Sequence, residues 1–139
     1  MTETLIRTRV DDFAKAIGSK DIDRVMALYA RDLVSFDLTP PLRRFGADEK
    51  HRAWQEVFAA FSGPIAYEVR DLTVTTNGEV AFVHSLSHIT STRPGGPVDM
   101  WVRWTACFRR IDGVWLVVHD HVSVPADPAQ GRAVLNLTP

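Results

Sequence analysis

Two histidines and a serine stand close together near the end of the chain, in the segment His119-Asp120-His121-Val122-Ser123. Side chains of a strand alternate between its two faces, so His119, His121 and Ser123 are expected to share one face. Neighbours on one face stand roughly 7 Å apart, which allows both imidazoles to contact one ligand or one metal ion. The spacing predicts that the histidine pair lines a cavity, with Ser123 as a polar neighbour.

A carboxylate that could complete this site is Asp37, in the apolar run 33–38 that reads as a strand. Asp37, His119 and His121 together could form a two-histidine, one-carboxylate metal site. The interpretation we favour is that these three residues are catalytic and act without a metal or cofactor. In that case Asp37 moves a proton with help from one of the histidines.

Arg103 lies between Trp101 and Trp104, where an unpaired charge would be costly. Its partner could be Asp37, Asp120 or the carboxylate of a bound ligand, and the last choice makes Arg103 an anion clamp. An equally good alternative is a cross-strand pair on the outer sheet face. We expect the ligand-binding wall to comprise Arg103, Trp101, Ser123, Trp54 and Tyr29.

The element that must position the histidines is a hairpin over 98–125, because two runs of β-branched and aromatic residues flank Asp112-Gly113. A three-residue loop would place Thr105 opposite His119 and Arg103 opposite His121. A two-residue loop would instead place Trp104 and Ala106 there. In the first register one face carries Trp101, Arg103, Thr105, Trp115, Val117, His119, His121 and Ser123.

The remaining chain supplies helices first and strands afterwards. Apolar spacing predicts a helix over 2–17, a second that begins at Ser19 or Asp21 and runs to about Ala30, and a third from Gly46 to Gly63-Pro64. Strands are expected at 33–38, 42–45, 65–75 and 79–91. This order predicts an α+β fold with the helices on one face of an antiparallel sheet. A strongly twisted sheet of long strands curls and encloses a pocket at one end.

Composition limits the classes of partner. The chain has 139 residues, a length that indicates one domain over 1–125 followed by a tail over 126–139. Its formal net charge is -1. The balanced charge argues against nucleic acid and an anionic membrane surface as partners. A single cysteine, Cys107, and the lack of an apolar leader favour a cytoplasmic protein.

Two segments carry a resemblance to a known family: 21–34, Asp-Ile-Asp-Arg-Val-Met-Ala-Leu-Tyr-Ala-Arg-Asp-Leu-Val, and 112–125, which has the form DG-x-W followed by H-x-H-x-S-x-P. With the element order, they resemble the nuclear transport factor 2-like (NTF2-like) superfamily, in particular its SnoaL-like and ketosteroid isomerase-like members. The second segment is also similar to the association domain of calmodulin-dependent kinase II.

The resemblance implies a cone in which helices pack on a curved sheet around a pocket. It also implies that Asp37 corresponds to the strand-end aspartate that serves as the base of ketosteroid isomerases. The chain departs from those enzymes because the first helix offers Phe13 where they use an oxyanion-hole tyrosine. We therefore expect an isomerase- or cyclase-type enzyme for a small carbonyl or aromatic compound, not a ketosteroid isomerase as such.

Members of the superfamily also include ligand binders and assembly modules. The alternative function is a non-catalytic module in which Arg103 and the histidines grip an anionic ligand. A homodimer is expected in either case, because three short helices cannot wholly cover one face of a long sheet whose other face is also used. The face assigned to that contact carries Trp104, Phe108, Leu116 and Val118.

Overall fold

The computed structural model describes residues 1–139, and two helices, a strand pair, a third helix and four long strands follow one another as the sequence predicts. The elements are α1 (Thr2–Gly18), α2 (Ile22–Met26), β1 (Tyr29–Phe36), β2 (Arg44–Phe45), α3 (Gly46–Ala60), β3 (Ala66–Asn77), β4 (Val80–Arg93), β5 (Gly96–Ile111), β6 (Val114–Ser123), β7 (Ala126–Asp127) and β8 (Arg132–Ala133). The α+β class is confirmed. The last two strands form a small hairpin in a segment for which the sequence predicts no periodic structure.

The first six strands form one sheet in the order β2-β1-β6-β5-β4-β3. Neighbouring strands are antiparallel except β1 and β6, which run parallel. The prediction of a purely antiparallel sheet is therefore corrected to a mixed one. The parallel pair matters for the site, because it brings the ends of β1 and β6, with their polar side chains, to the same end of the sheet.

The core lies between α1 and the inner face of the sheet. Ile6, Val10 and Phe13 recur at helical spacing and are buried, as the sequence predicts. Phe13 stacks on Trp104 of β5, with ring centroids 5.8 Å apart and an interplanar angle of 16°. Trp104 and Phe108 are 2% and 1% exposed, so they belong to this core. Their predicted place in a dimer contact is wrong, because both side chains are buried in the core of a single chain.

The hairpin has the two-residue loop of the second alternative, but the residues opposite the histidines differ from both predictions. Asp112 and Gly113 have φ values of 49° and 80°, and Ile111 pairs with Val114, which defines a two-residue turn with both central residues at positive φ. The register then shifts at Val118, which has no partner on β5. As a result, Cys107 lies opposite His119, Thr105 opposite His121 and Arg103 opposite Ser123.

This β-bulge at Val118 also corrects the predicted set of residues on one face. An extra residue reverses the alternation of side chains along a strand. Trp115 and Val117 before the bulge are buried in the core, whereas His121 after it is exposed. Trp115 and Val117 therefore do not share a face with the histidines.

The second helix is shorter than predicted. Its cap is confirmed, because the Asp21 carboxylate accepts a hydrogen bond from the Arg24 amide. The helix ends at Met26, and β1 begins at Tyr29, which the sequence placed in the helix. Tyr29 nevertheless lies on the inner side of the fold, as a buried strand residue.

None of the three helices combines the length and the apolar character that a membrane-spanning helix needs.

Candidate functional site

The inner face of the sheet contains a cluster of charged side chains, which we call the Lys50 cluster. It joins the end of β1, the middle of β6, the strand β2 and the first turns of α3. Lys50 and Asp120 are 3% and 1% exposed. The members of the Lys50 cluster are Ser35, Asp37, Arg44, Lys50 and Asp120.

Lys50 is at the centre of the cluster. Its Nζ lies 2.9 Å from Ser35 Oγ, 2.5 Å from Asp37 Oδ1 and 3.5 Å from Asp120 Oδ2. The Ser35 hydroxyl donates a hydrogen bond to Asp120 Oδ1. Arg44 Nε lies 2.8 Å from Asp37 Oδ2. Two carboxylates therefore face two cations, which is the pairing that buried charges require.

The start of α3 fixes the position of Lys50. Gly46 opens the helix with φ of 80°, a conformation that favours glycine. The Phe45 amide donates to Glu49 Oε2 at 2.7 Å, which closes the first turn. Lys50 and Trp54 are one helical turn apart and face the sheet on the same side of α3 as Phe58.

The carboxylates differ in access to solvent. The Asp37 side chain is 13% exposed, whereas that of Asp120 is 1% and that of Lys50 is 4%. Asp37 also follows the last residue of β1, at the rim of the sheet. Among the acidic groups of the cluster, Asp37 is therefore the one that a molecule arriving from solvent can reach.

Aromatic side chains surround the cluster on its inner side. Trp54 Nε1 donates to the Tyr29 hydroxyl at 3.0 Å, and Lys50 Nζ lies 5.4 Å from the centre of the Tyr29 ring. Burial, helped by the nearby negative charge of Asp120, raises the pKa of Tyr29 well above its usual value. Tyr29 therefore stays protonated at neutral pH.

The interior beyond Tyr29 is filled by aromatic rings. Phe13 makes edge-to-face contacts with Tyr29, Trp54 and Tyr67 at centroid distances of 5.9, 5.8 and 6.2 Å. Two surface grooves lie elsewhere, one of about 820 Å³ between α1 and β3 and one of about 490 Å³ beside Pro64 and Pro97. Asp37 and Lys50 line neither groove.

The predicted histidine site does not form as a unit with Asp37. His119 Nδ1 is 2.7 Å from the carbonyl oxygen of Val34, and both histidine rings pack against Phe36 on the outer face of the sheet. Asp37 faces the interior with Lys50. The sheet therefore separates Asp37 from the imidazoles, and the predicted two-histidine, one-carboxylate arrangement is absent.

The other predicted binding residues divide between the two faces. Trp54 and Tyr29 border the Lys50 cluster. Arg103 is exposed on the outer face, where its Nε donates to Ser123 Oγ at 3.1 Å. Trp101 is also on that face and stacks on the His88 ring at 4.5 Å, with an interplanar angle of 2°. Arg103 thus has neither Asp37 nor Asp120 as a partner.

Sequence reasoning missed Lys50, Ser35 and Asp120 as site residues, although two of them carry a signal. Lys50 is one turn before Trp54, so it falls on the apolar face of α3. Asp120 alternates with Val122 and Val118, so it interrupts an otherwise apolar series. A charge on a face that must be buried requires a partner, and each residue is a candidate partner for the other.

The comparisons with known proteins agree with the fold. The model of the SnoaL-like domain matches residues 6–127. The chain has the architecture of the NTF2-like proteins: helices packed on a large curved sheet. Within that class it belongs to the SnoaL-like family. None of the functionally curated proteins matches the chain.

Solved structures resemble the chain over most of its length. An NTF2-like protein of unknown function from Pseudomonas putida KT2440 is 29% identical, with 99% of this chain and 96% of that chain covered and a TM-score of 0.91. A ketosteroid isomerase-like protein from Erwinia carotovora atroseptica SCRI1043 is 25% identical, with 86% and 93% covered and a TM-score of 0.74. A candidate dehydratase of the NTF2-like family from Streptomyces avermitilis is 20% identical, with 86% and 93% covered and a TM-score of 0.76, which indicates the shared fold alone.

Proposed function

We propose that this protein is a cofactor-independent enzyme that moves a proton on a small carbonyl compound, in the manner of an isomerase or cyclase. The observation that carries the proposal is the buried Lys50 ammonium, which lies between two carboxylates of unequal access. The ketosteroid isomerase-like neighbour supports the same reaction class. His119 and His121 are left out of this site, because they face the other side of the sheet.

Asp37 is the proposed base. It takes a proton from the carbon next to a substrate carbonyl, which leaves an enolate, and then returns the proton to the same or another carbon. A carboxylate that stays within reach of both carbons can carry out this transfer. Asp37 is suited to the role because it is the accessible carboxylate of the cluster.

Lys50 is the proposed partner of the enolate oxygen. A fixed positive charge in a water-poor site stabilises the negative charge that forms on that oxygen. Asp120 and Ser35 hold the ammonium in place from the buried side. Trp54, which is half-buried, provides an apolar wall beside the Lys50 cluster.

Hydrogen–deuterium exchange tests the proposal without knowledge of the natural substrate. One-ring and two-ring cyclic ketones are incubated with the protein in D₂O, and loss of the α-proton signal is followed by proton NMR. We expect exchange above the buffer rate, and a loss of about 100-fold or more in Asp37→Asn, the usual range for a general base. Circular dichroism verifies that the variant is folded.

Asp32→Asn is the matched control, because Asp32 is an exposed carboxylate on the same strand. It should exchange protons at the wild-type rate. Equal rates in Asp37→Asn and wild type would refute Asp37 as the base. If no ketone exchanges faster than in buffer but ligands still bind, the non-catalytic alternative replaces the enzyme.

We also propose that the outer sheet face forms a homodimer contact. Phe36, Val80, Phe82 and Val114 are 37%, 51%, 46% and 44% exposed, and exposed apolar patches of this kind occur at interfaces. The proposed partner is a second copy, because these four exposed side chains are apolar and the chain has a formal net charge of only -1. Light scattering should give twice the monomer mass, and Phe82→Lys should give the monomer. A monomeric wild type would contradict this contact.

A further inference from the structure

The strand β3 forms one edge of the main sheet, so one side of its backbone has no neighbouring strand. From Ala66 to Arg70 it pairs with β4 in an unbroken register, and the register shifts between Arg70 and Thr73. Asp71 lies in this bulge with φ of 58°. In an antiparallel pair every second residue directs its N–H and C=O away from the neighbouring strand. The segment 66–70 is therefore a straight, unpaired edge that ends at the bulge.

Two opposite charges stand two residues apart on this edge. Glu68 and Arg70 are on the outer face, where Arg70 Nη2 lies 3.8 Å from Glu68 Oε1. Their side chains are 61% and 48% exposed, so solvent weakens the pair within one chain. The Arg70 guanidinium also lies 4.7 Å from the centre of the Trp101 ring, which holds it close to the sheet. Both charges are thus beside the free edge and accessible to a partner.

A groove of about 820 Å³ runs along the inner side of the same edge, between α1 and β3. Its apolar lining includes Val10 and Ala14 of α1 and Val69 and Leu72 of β3. No residue of β4 lines the groove, so it lies at the margin of the sheet and not over its middle. The groove therefore leaves room for the inward-pointing side chains of a strand that is added to β3.

The charges select a single register for an identical strand. When two copies of β3 run antiparallel with Val69 opposite Val69, Glu68 of each copy faces Arg70 of the other. A shift of two residues in one direction sets Glu68 against Glu68, and in the other direction it sets Arg70 against Arg70. Like charges directly opposite each other destabilise a strand pair. A shift of one residue would turn the outer side chains of one strand toward the inner face of the other.

We propose that two copies of this protein associate through β3, as an antiparallel strand pair centred on Val69 that joins their sheets edge to edge. The partner is a second copy, because Glu68 and Arg70 are complementary to the same two residues of an identical strand. A row of like charges on the edge would instead keep a second copy away. The two-fold axis at Val69 makes the contact closed. It is separate from the outer-face contact and independent of the reaction proposed for Asp37.

The β3 contact is short and therefore weak. The straight segment has five residues on each chain, whereas stable interfaces bury about 1,200–2,000 Å² in total. We expect the outer-face dimer alone in dilute solution and the β3 contact only when the protein is concentrated. Sedimentation equilibrium measures this: the average mass of wild type should rise above that of the dimer with concentration, and that of Glu68→Arg should not.

A cysteine on the proposed axis should trap the contact covalently. Cys107, the only native cysteine, is replaced by alanine, and Val69→Cys is then oxidised with diamide. Residues directly opposite in an antiparallel pair have Cα atoms about 4.5–5.5 Å apart, a distance that a disulfide spans. We expect a disulfide-linked dimer on a non-reducing gel. Val74→Cys is the matched control, because Val74 is also half-buried on the inner face of β3 but lies beyond the bulge. It should not cross-link.

Charge reversal tests the register. In the Val69→Cys protein, either Glu68→Arg or Arg70→Glu places two like-charged pairs across the contact and should slow cross-linking about 10-fold. The two reversals together restore opposite charges and should restore the rate. Circular dichroism verifies that each variant is folded. Equal cross-linking of Val69→Cys and Val74→Cys would overturn the proposal. A double reversal no faster than the single ones, or a mass that rises equally in wild type and Glu68→Arg, would also overturn it.

Discussion

The two faces of β6 carry polar side chains in opposite settings. Asp120 on the inner face is 1% exposed and lies within a network of Ser35 and Lys50. His121, the next residue, is exposed on the outer face beside Phe36. Burial therefore forces the inner carboxylate to be paired, whereas solvent can satisfy the outer imidazole.

One extra residue, at the bulge, decides which side chains of β6 face the site. Before the bulge at Val118, odd-numbered residues such as Val117 face the core. After it, even-numbered residues such as Asp120 do so. If the strand had no bulge, the same sequence would turn His119 toward the interior, where its charged form would be costly.

Removal of the Lys50 ammonium should destabilise the charged network on the inner face of the sheet. Lys50→Met keeps most of the side-chain volume but leaves Asp37 and Asp120 without their shared ammonium. Loss of one partner from a buried ion pair costs about 3–5 kcal/mol. We expect the free energy of unfolding, measured with urea, to fall by that amount.

Lys15→Met is the control for this change. Lys15 pairs with Asp11 at 2.8 Å on the exposed side of α1, where solvent screens the pair. No measurable change in the urea midpoint is expected. If both lysine variants were equally stable, the Lys50 cluster would not be the buried network described above.

Neighbouring substitutions in β6 compare the faces directly. Asp120→Asn keeps the shape but removes a charge that faces Ser35 and Lys50, and hydrogen bonds to charged groups contribute about 1.5–3 kcal/mol. His121→Asn on the outer face should change the free energy of unfolding by less than about 0.5 kcal/mol. Urea unfolding of the two variants checks this difference, and equal losses would contradict it.

The sequence predicts the fold better than the site, because the fold is marked by local patterns of residues whereas the site depends on contacts between residues that are far apart in the sequence. Helical spacing on α1 and the Asp112-Gly113 turn are local patterns, and both appear where predicted. The position of His119 depends on a bulge at Val118, and nothing in the local alternation marks it. The family resemblance placed Asp37 at a strand end, and in the structure Asp37 directly follows Phe36, the last residue of β1; its role stays a proposal.

Lys50 shows why the sequence did not predict the Lys50 cluster. A single lysine in a helix is usually solvated, so its inward position becomes visible only when α3 is known to cross the end of β1. Its partner Asp120 is 70 residues away in the sequence. Their pairing depends on the parallel β1–β6 contact, which the predicted antiparallel order did not contain.

Alkaline titration tests how dry the inner face is. The chain has two tyrosines, Tyr29 and Tyr67, and burial raises the pKa of both, that of Tyr67 to about 12. Between about pH 10 and 12 the unfolded chain loses phenolic protons that the folded chain keeps, so stability is full below pH 10 and falls as the pH rises. Tyr67 alone accounts for a loss on the order of 2 kcal/mol by pH 12.

Absorbance at 295 nm measures tyrosinate during this titration. Little should form at pH 10.5 in the folded protein, and its appearance at higher pH should accompany unfolding seen by circular dichroism. Half-ionisation near pH 10 in folded protein would show that water reaches both phenols.

A smaller loss than at Lys50 or Asp120 is expected at His119, whose ring nitrogen contacts the Val34 carbonyl oxygen from the outer face at 2.7 Å. His119→Leu removes that hydrogen bond and should lower the free energy of unfolding by about 1 kcal/mol. His119→Asn places an amide near the same carbonyl and should restore most of the loss. Neither variant should alter ketone exchange, because the sheet separates His119 from Asp37. A loss of exchange in the stable His119→Asn variant would mean that the outer face takes part in the reaction, and the division between the two faces would fail.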